Sequence, residues 1–419
     1  MLKHHIAKNP LPVIFFTIFV DLLGFGILIP VIPQLLANPA SEYFLLPNGW
    51  SLNQGYILLG FLTASFSIFQ FLAAPILGQL SDRFGRKNVL AISLFGTSIS
   101  YVLFAIGILT KNIPLLFISR AFDGITGGNI SVAQAAIADV TTPANRAKNF
   151  GLIGAAFGLG FIIGPYLGGK LSDPSVVSWF SATTPFWFAA VLSLVNVISI
   201  LFFFPETLKV KNTKLVINWS RSVLNIYHAA IDKKLRTLFG TVFLFNGGFT
   251  FFTTFFSVFL ITKFAYTQGD IGDFFAYVGL WVAFTQAVIV RKLSARFSEK
   301  QLIRAGLIGT GISILLFFLP RESWQLFLVV PLMAISNGIS FANITALISK
   351  SASPEIQGEV LGINSSVAAL AMSIPPILSG YIAASLHPDA PIWIAGGILI
   401  FTAIFFWTFF KPAKTPLDQ

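Results

Sequence analysis

From Ile57 to Gly78 the chain reads ILLGFLTASFSIFQFLAAPILG, a run with no charged residue. About 20 such residues in an α-helix cross the ~30 Å hydrocarbon core of a bilayer. A spanning β-strand would alternate apolar and polar residues, and this run does not. In lipid every backbone N–H and C=O needs a partner within the protein, so a continuous apolar run must be helical. The rest of the 419-residue chain agrees: 55% hydrophobic, 10% charged, with 46 Phe and a mean hydropathy of +0.81. Soluble domains carry about 25% charged residues. The expected class is therefore an all-α, polytopic membrane protein.

The hydropathy pattern predicts twelve spans, at 11–36, 54–79, 88–110, 113–138, 147–170, 184–205, 238–262, 271–292, 301–320, 324–349, 358–385 and 391–411. The first span, followed by LLANPAS, has features of a signal peptide. It is too long for an h-region, carries Asp21 and leads into further spans, so it reads as a retained helix. With both termini inside, inner segments hold 22 of the 27 Lys and Arg residues. Outer loops hold only Lys111, Lys170, Lys263 and Arg321, and Arg120 lies within span four. This asymmetry orients the chain with cytoplasmic termini. It also accounts for the +11 charge without nucleic acid, since basic loops face anionic lipid. The absence of Cys excludes disulfides and thiolate metal sites and leaves the redox compartment unread, and the four His are scattered, so no metal site is expected.

A polar segment, PETLKVKNTKLVINWSRSVLNIYHAAIDKKLR, divides the spans six and six. The expected organisation is a first bundle over 1–205, a linker over 206–237 and a second bundle over 238–419. Within the linker, VINWSRSVLNIYHAAI is weakly amphipathic and suits the inner interface. Two six-helix repeats with a basic central loop are the plan of a secondary transporter, its site between the halves near mid-membrane. A faint repeat supports this plan. GQLSDRFGRK follows span two and RKLSARFSEK follows span eight, both keeping LS-x-RF.

In GQLSDRFGRK, Asp82 falls at the end of span two, where the helix dipole disfavours a carboxylate. It should be paired with Arg83, with Arg86 or with the N-terminus of a neighbouring helix. Gly78 would admit a close neighbour and Gly85 a tight turn. With Lys87 these residues form a candidate cytoplasmic latch, or simply a basic loop that sets topology. Span five contains GFIIGPYLGG. Gly160, Gly164, Gly168 and Gly169 make a small-residue face for close helix contact, and Pro165 removes a backbone bond and bends the span.

The loop G-x-x-x-D-R-x-G-R-K resembles the signature of the major facilitator superfamily. GFIIGPYLGG resembles the G-x-x-x-G-P-x-x-G-G motif of its drug/proton antiporters. FVDLLGFGILIPVIPQL, FQFLAAPILGQLSDRFGRK and AAIADVTTPANRAKNFG together resemble the tetracycline/proton antiporter group. The resemblance runs over the whole chain in topology and is strongest across 13–206. It implies that Asp21 matches a span-one acid, and that Asp139 and Arg146 form a second charge relay partnering the signature loop. Two departures stand out. The group's span-three acid is replaced by Ser100, and the His and Asp of its spans eight and nine have no counterpart here. Asp270 and Asp273 sit at the outer lip of span eight instead.

Span four carries ISRAFDGITGG, with a cation and an anion inside a membrane helix. Intramembrane charges are costly and are functional candidates by default. Arg120 and Asp123, three residues apart, share a helix face. At 1.5 Å per residue Arg120 lies roughly 10 Å and Asp123 roughly 15 Å below the outer surface. Asp21 lies roughly 15 Å above the inner one. The resemblance implies that spans one and four line a common cavity, and that Arg120, in an R-x-x-x-G pattern with Gly124, takes part in proton coupling. A carboxylate beside a fixed cation stays ionised, whereas one facing a dry cavity resists ionisation. Asp21 is accordingly the candidate proton carrier, with Arg120 tuning it and Asp123 holding Arg120. An ion pair that merely ties two spans together is the alternative.

Polar side chains along the other spans are candidate substrate contacts: Gln70, Asn129, Gln134, Asn246, Gln286, Asn337 and Asn343. The phenylalanines of FTFFTTFFSVF in span seven read first as packing or lipid-facing surface, and second as an aromatic wall for a flat substrate. Pro375 and Pro376 mark a bendable span eleven. There is no Walker loop and no nucleophile–base constellation, so ATP hydrolysis and enzyme chemistry are not expected. The expected function is proton-coupled efflux of a small lipophilic or planar compound, with no cofactor, by a monomer in a bacterial inner membrane. A proton-coupled symporter and a lipid or lipophile flippase are the alternatives.

Overall fold

The computed structural model describes residues 10–142, 145–212, 216–232, 235–351 and 357–410. Fifteen α-helices account for most of them, and no strand occurs among the described residues. They are α1 (Leu11–Leu36), α2 (Leu52–Phe84), α3 (Arg86–Leu109), α4 (Ile113–Thr126), α5 (Asn129–Asp139), α6 (Arg146–Leu171) and α7 (Thr184–Phe203) in the first half. A short linker helix, α8 (Arg221–Ile231), follows. The second half holds α9 (Arg236–Phe264), α10 (Gln268–Phe284), α11 (Val290–Ser294), α12 (Glu299–Leu316), α13 (Leu326–Ser351), α14 (Gln357–Ser385) and α15 (Ala390–Phe409). Ten helical stretches are long and apolar enough to cross a membrane.

Two expected spans fall outside that count for physical reasons. Span four is broken into α4 and α5 at Gly127–Gly128, where α2 passes close. Span nine, α12, begins with charged residues and is only 18 residues long. Span eight is continuous from Gln268 to Ser294 but carries a π-helical turn at Thr285–Ile289.

The buried apolar side chains fall into three clusters. One holds residues between Ala229 and Phe406, all in the second half and linker. A second is centred on the end of the first half expected to face outward, and a third on its inner end. The phenylalanines of span seven belong to the first cluster. Phe252 and Phe256 pack with tilted rings at 4.5 Å, and Phe256 lies 4.8 Å from Phe317, ring centre to ring centre. They are core packing, which bears out the first of the two readings of that stripe.

Between the halves, α2 packs along α14 and α6 along α10. These contacts are closest at the expected outer end. A Cβ on Gly60 would come within 3.2 Å of Gly380 Cα, and one on Gly169 within 2.9 Å of Gly272 Cα. Gly154 and Gly158, on the first half of α6, and Gly362, near the start of α14, both at the expected inner end, have open space where a side chain would stand.

Candidate functional site

The polar centre of the first half lies where α1, α3 and broken span four meet. Arg120 and Asp123 are both buried, at 3% and 4% exposure. One face of α4 brings them together as expected, with Arg120 Nη1 donating to Asp123 Oδ2 at 2.8 Å. The guanidinium also stacks on the Phe66 ring, 4.5 Å from its centre. Asp21, on α1, shares a cavity of about 20 Å³ with Asp123, Phe25, Phe66, Thr97, Tyr101 and Gly127. That is room for about one water molecule. Both Asp21 carboxylate oxygens are buried without a hydrogen-bond partner. The site thus contains two carboxylates and one guanidinium, and the unmatched carboxylate is Asp21. An ionised side chain taken out of water without a counter-charge is costly, so a bound proton is the natural way to neutralise it.

The break in span four is held by its neighbours. Gln70 Nε2 on α2 donates to Gly127 O at 3.0 Å, taking up a carbonyl at the interruption, and Ser131 Oγ donates to Ala74 O at 2.8 Å. Gly128 is required by proximity, since a Cβ there would meet the Ala74 backbone at 2.9 Å.

A second charged cluster sits at the end expected to face inward. Gly85 has φ +101°, a backbone that favours glycine, and it turns α2 directly into α3. The turn points buried Arg86 back between two acids. Its Nη1 lies 2.7 Å from Asp82, and its Nε donates to Asp139, at the end of α5, at 3.0 Å. Asp82 therefore takes one of its expected partners, Arg86. Arg83 instead lies over the Phe84 ring at 5.3 Å. Lys87 contributes its backbone, with N–H donating to Glu206 at 3.3 Å, and Arg86 N–H donates to the same carboxylate at 2.9 Å. Glu206 therefore caps α3, where an anion complements the helix dipole. The side chain of Arg146 lies outside the described residues. Gly78 differs from expectation: a Cβ there would meet only Ser131 Oγ at 3.8 Å, an ordinary contact.

The small-residue face of span five has two partners. Gly160, Gly164 and Gly168 face α1, where added Cβ atoms would come within 2.6 Å of Leu22 Cβ, 2.7 Å of Leu23 O and 2.8 Å of Ile27 Cα. Gly169 faces α10 across the gap between the halves. α6 remains one helix through Pro165, whose ring packs against Gly26 of α1.

The candidate substrate contacts lie on several helices. Gln70 is engaged at Gly127. Asn246 donates to Val242 O at 2.9 Å and Asn343 to Ile339 O at 2.8 Å, each on its own helix. Gln286, exposed on the π-helical turn, reaches Gly338 O at 3.5 Å. Gln134 is half-buried on α5, and Asn337 keeps a buried, unpartnered Oδ1. Asn129 is fully buried beside Asp21, with both amide atoms unpartnered.

Sequence reasoning missed four features. Glu206 carried one signal, as an acid at the start of an otherwise basic loop. Gly26 and the Tyr101–Gly24 contact carried none. The Lys170–Asp273 ion pair joins the two halves, and both residues were visible only as isolated outer-lip charges.

A two-lobed bundle of membrane-length helices, with buried charges in one lobe and close glycine contacts between lobes, defines a polytopic membrane transporter. More particularly, the chain belongs to the Major Facilitator Superfamily, whose family model matches residues 14–291 and 237–419. It is 31% identical over 395 residues to the class C tetracycline resistance protein of Escherichia coli, covering 94% of this chain and 95% of that one. It is 28% identical over 394 residues to multidrug resistance protein 2 of Bacillus subtilis, covering 91% and 90%. Among solved structures it resembles the human organic anion transporter MFSD10 (TETRAN), with TM-score 0.71, 23% identity and coverage of 95% and 99%. It also resembles a D-xylose–proton symporter, with TM-score 0.72, 17% identity and coverage of 95% and 97%.

Proposed function

We propose that this transporter exports a small lipophilic or planar compound in exchange for protons, using alternating access and no cofactor. The observation that carries this reading is Asp21, a carboxylate with both oxygens buried and unpartnered beside the Arg120–Asp123 pair. Asp21 binds the proton, Asp123 holds Arg120 in place, and Arg120 supplies the field that lets Asp21 release it. The similarity to tetracycline and multidrug resistance proteins supports the direction and the substrate class.

The lobes correspond to residues 1–205 and 238–419, each with six spans, both termini lie in the cytoplasm, and 206–237 links them. Close contact at the outer end and open space at Gly154, Gly158 and Gly362 support an inward-open state. The Arg86 cluster, with Asp82 and Asp139, and the glycine face of α6 are the gating elements. Gln134, Gln286 and Asn337, which project from different helices, are the polar side chains offered to substrate. The protein works as a monomer in a bacterial inner membrane.

The test is uptake of tetracycline and of a planar dye by proteoliposomes under an imposed pH difference. An acidic interior drives accumulation by an antiporter and depletion by a symporter. A flippase moves its cargo equally with and without the gradient. Persistence of gradient-driven uptake in Asp21→Asn would remove the carrier assignment.

A further inference from the structure

Asn129 stands within interaction range of the Asp21 carboxylate, yet both oxygens of Asp21 and Oδ1 and Nδ2 of Asn129 are buried without a hydrogen bond of full geometry. Buried polar atoms are almost always paired. Leaving one unpaired costs about 1–3 kcal/mol. Two adjacent groups on different helices, each lacking any other partner, are placed to satisfy one another by a small side-chain rotation. We infer that Asn129 is the hydrogen-bond partner of Asp21 in both of its protonation states. That makes it a positioning residue of the proton site rather than a substrate contact. The inference rests on the reading of Asp21 as the proton carrier.

The chemistry of the amide selects it for this role. Ionised, Asp21 only accepts hydrogen bonds, and Asn129 Nδ2 donates. Protonated, Asp21 has an O–H to donate, and Asn129 Oδ1 accepts. A lysine or arginine at this place would hold Asp21 ionised, and an aliphatic residue would leave both forms unpaired. The fold also holds the amide in place. Asn129 is the first residue of α5, directly below the Gly127–Gly128 break, and that break is pinned by Gln70 and Ser131. The α5 N-terminus adds a partial positive charge at the same spot. The charged and titratable groups facing Asp21 are Asp123 on α4 and Tyr101 on α3, with Arg120 beyond Asp123. From α2 comes the neutral ring of Phe66, and from α6 a row of glycines.

The experiment is an infrared difference titration of the purified protein in detergent, which needs no substrate. The carboxyl C=O band lost in Asp21→Asn belongs to Asp21. In Asn129→Ala this band should change frequency, because its hydrogen-bond partner is gone. Its midpoint should move to higher pH by about one unit, a tenfold change in proton affinity, since the charged form loses the stronger bond. Asn129→Ser keeps a donor and an acceptor and should restore most of the wild-type behaviour, which a purely structural role would not predict. An unaltered band and midpoint in folded Asn129→Ala would overturn the inference while leaving Asp21 as carrier. A spectrum unchanged by Asp21→Asn would overturn both.

Discussion

Lys170, at the end of α6, places its ammonium 2.8 Å from the Asp273 carboxylate on α10, and the bond crosses from one half of the protein to the other. Beside it, Gly169 and Gly272 bring the two helix backbones together. If the lobes rock, this pair must part when the outer side opens. Both side chains are partly wet, so the pair contributes about 0.2–1 kcal/mol. Lys170→Ala should therefore raise the outward-open population no more than about fivefold, and the exchanged pair Lys170→Asp with Asp273→Lys should reverse the change. The chain has no cysteine, so spin labels on introduced cysteines can report the distance between the outer ends of α6 and α10 directly.

Arg86 predicts a larger effect. Its guanidinium is buried and serves Asp82, Asp139 and Ser81 together. Removing one partner of such a network costs about 3–5 kcal/mol when the remaining charge is buried. Asp139 is partly exposed, so Arg86→Ala should destabilise by about 3 kcal/mol, the lower end of that range. Arg86→Lys should recover only part of this, because an ammonium cannot reproduce the fork that reaches both acids. Thermal unfolding in detergent measures both variants.

The glycines of α6 should divide into two groups. At Gly164 an added methyl group meets backbone atoms of α1 closer than 3.0 Å, and backbone cannot move aside cheaply. At Gly158 it meets nothing within 4 Å. Gly164→Ala should cut gradient-driven uptake at least tenfold, whereas Gly158→Ala should leave it within about twofold. Uptake by proteoliposomes with matched protein content decides. Equal loss in both variants would contradict the packing described for α6.

Asp21→Asn should separate function from stability. The substitution removes a buried carboxylate that has no counter-charge paired with it, replacing it with a neutral side chain of the same shape. Proton-driven uptake should disappear, yet the unfolding temperature should stay equal or rise, by up to about 1–3 kcal/mol in stability. A clearly lower unfolding temperature would mean that the carboxylate is ion-paired in the native state.

A last prediction concerns Ala265, which ends α9 in the left-handed conformation at φ 55°. Its N–H donates to Ile261 O at 3.0 Å, and the next N–H, of Tyr266, donates to Leu260 O at 3.3 Å. Glycine normally occupies this cap because a Cβ there costs about 1–2 kcal/mol. Ala265→Gly should stabilise the protein by about 0.5–1 kcal/mol, less than the full relief because glycine is freer when unfolded. The unfolding temperature checks the sign.

Local pairings were readable in advance. Arg120–Asp123 and Asp82–Arg86 are three and four residues apart, and helical geometry alone puts such residues together. Gly85 was readable because a signature turn between two helices demands a residue that accepts positive φ. Arg86–Asp139 and Lys170–Asp273 could not be derived from spacing, since 53 and 103 residues separate their members. What Asn246 and Asn343 bond was not readable, because a polar residue in an apolar helix can bond its own i−4 carbonyl, and its sequence looks the same either way.

Lipid solvation determined the larger outcome from sequence alone. Without water, apolar runs of this length have one stable backbone form, so membrane-spanning helices, their order and the basic inner loops follow from composition along the chain. Which helix faces which was decided only in three dimensions. Lipid gives apolar helices no reason to prefer one neighbour, so the choice falls to close backbone contacts such as Gly164 with Leu23 and to buried polar groups that must find partners. That same selection brought Asn129 next to Asp21 from the middles of two different spans.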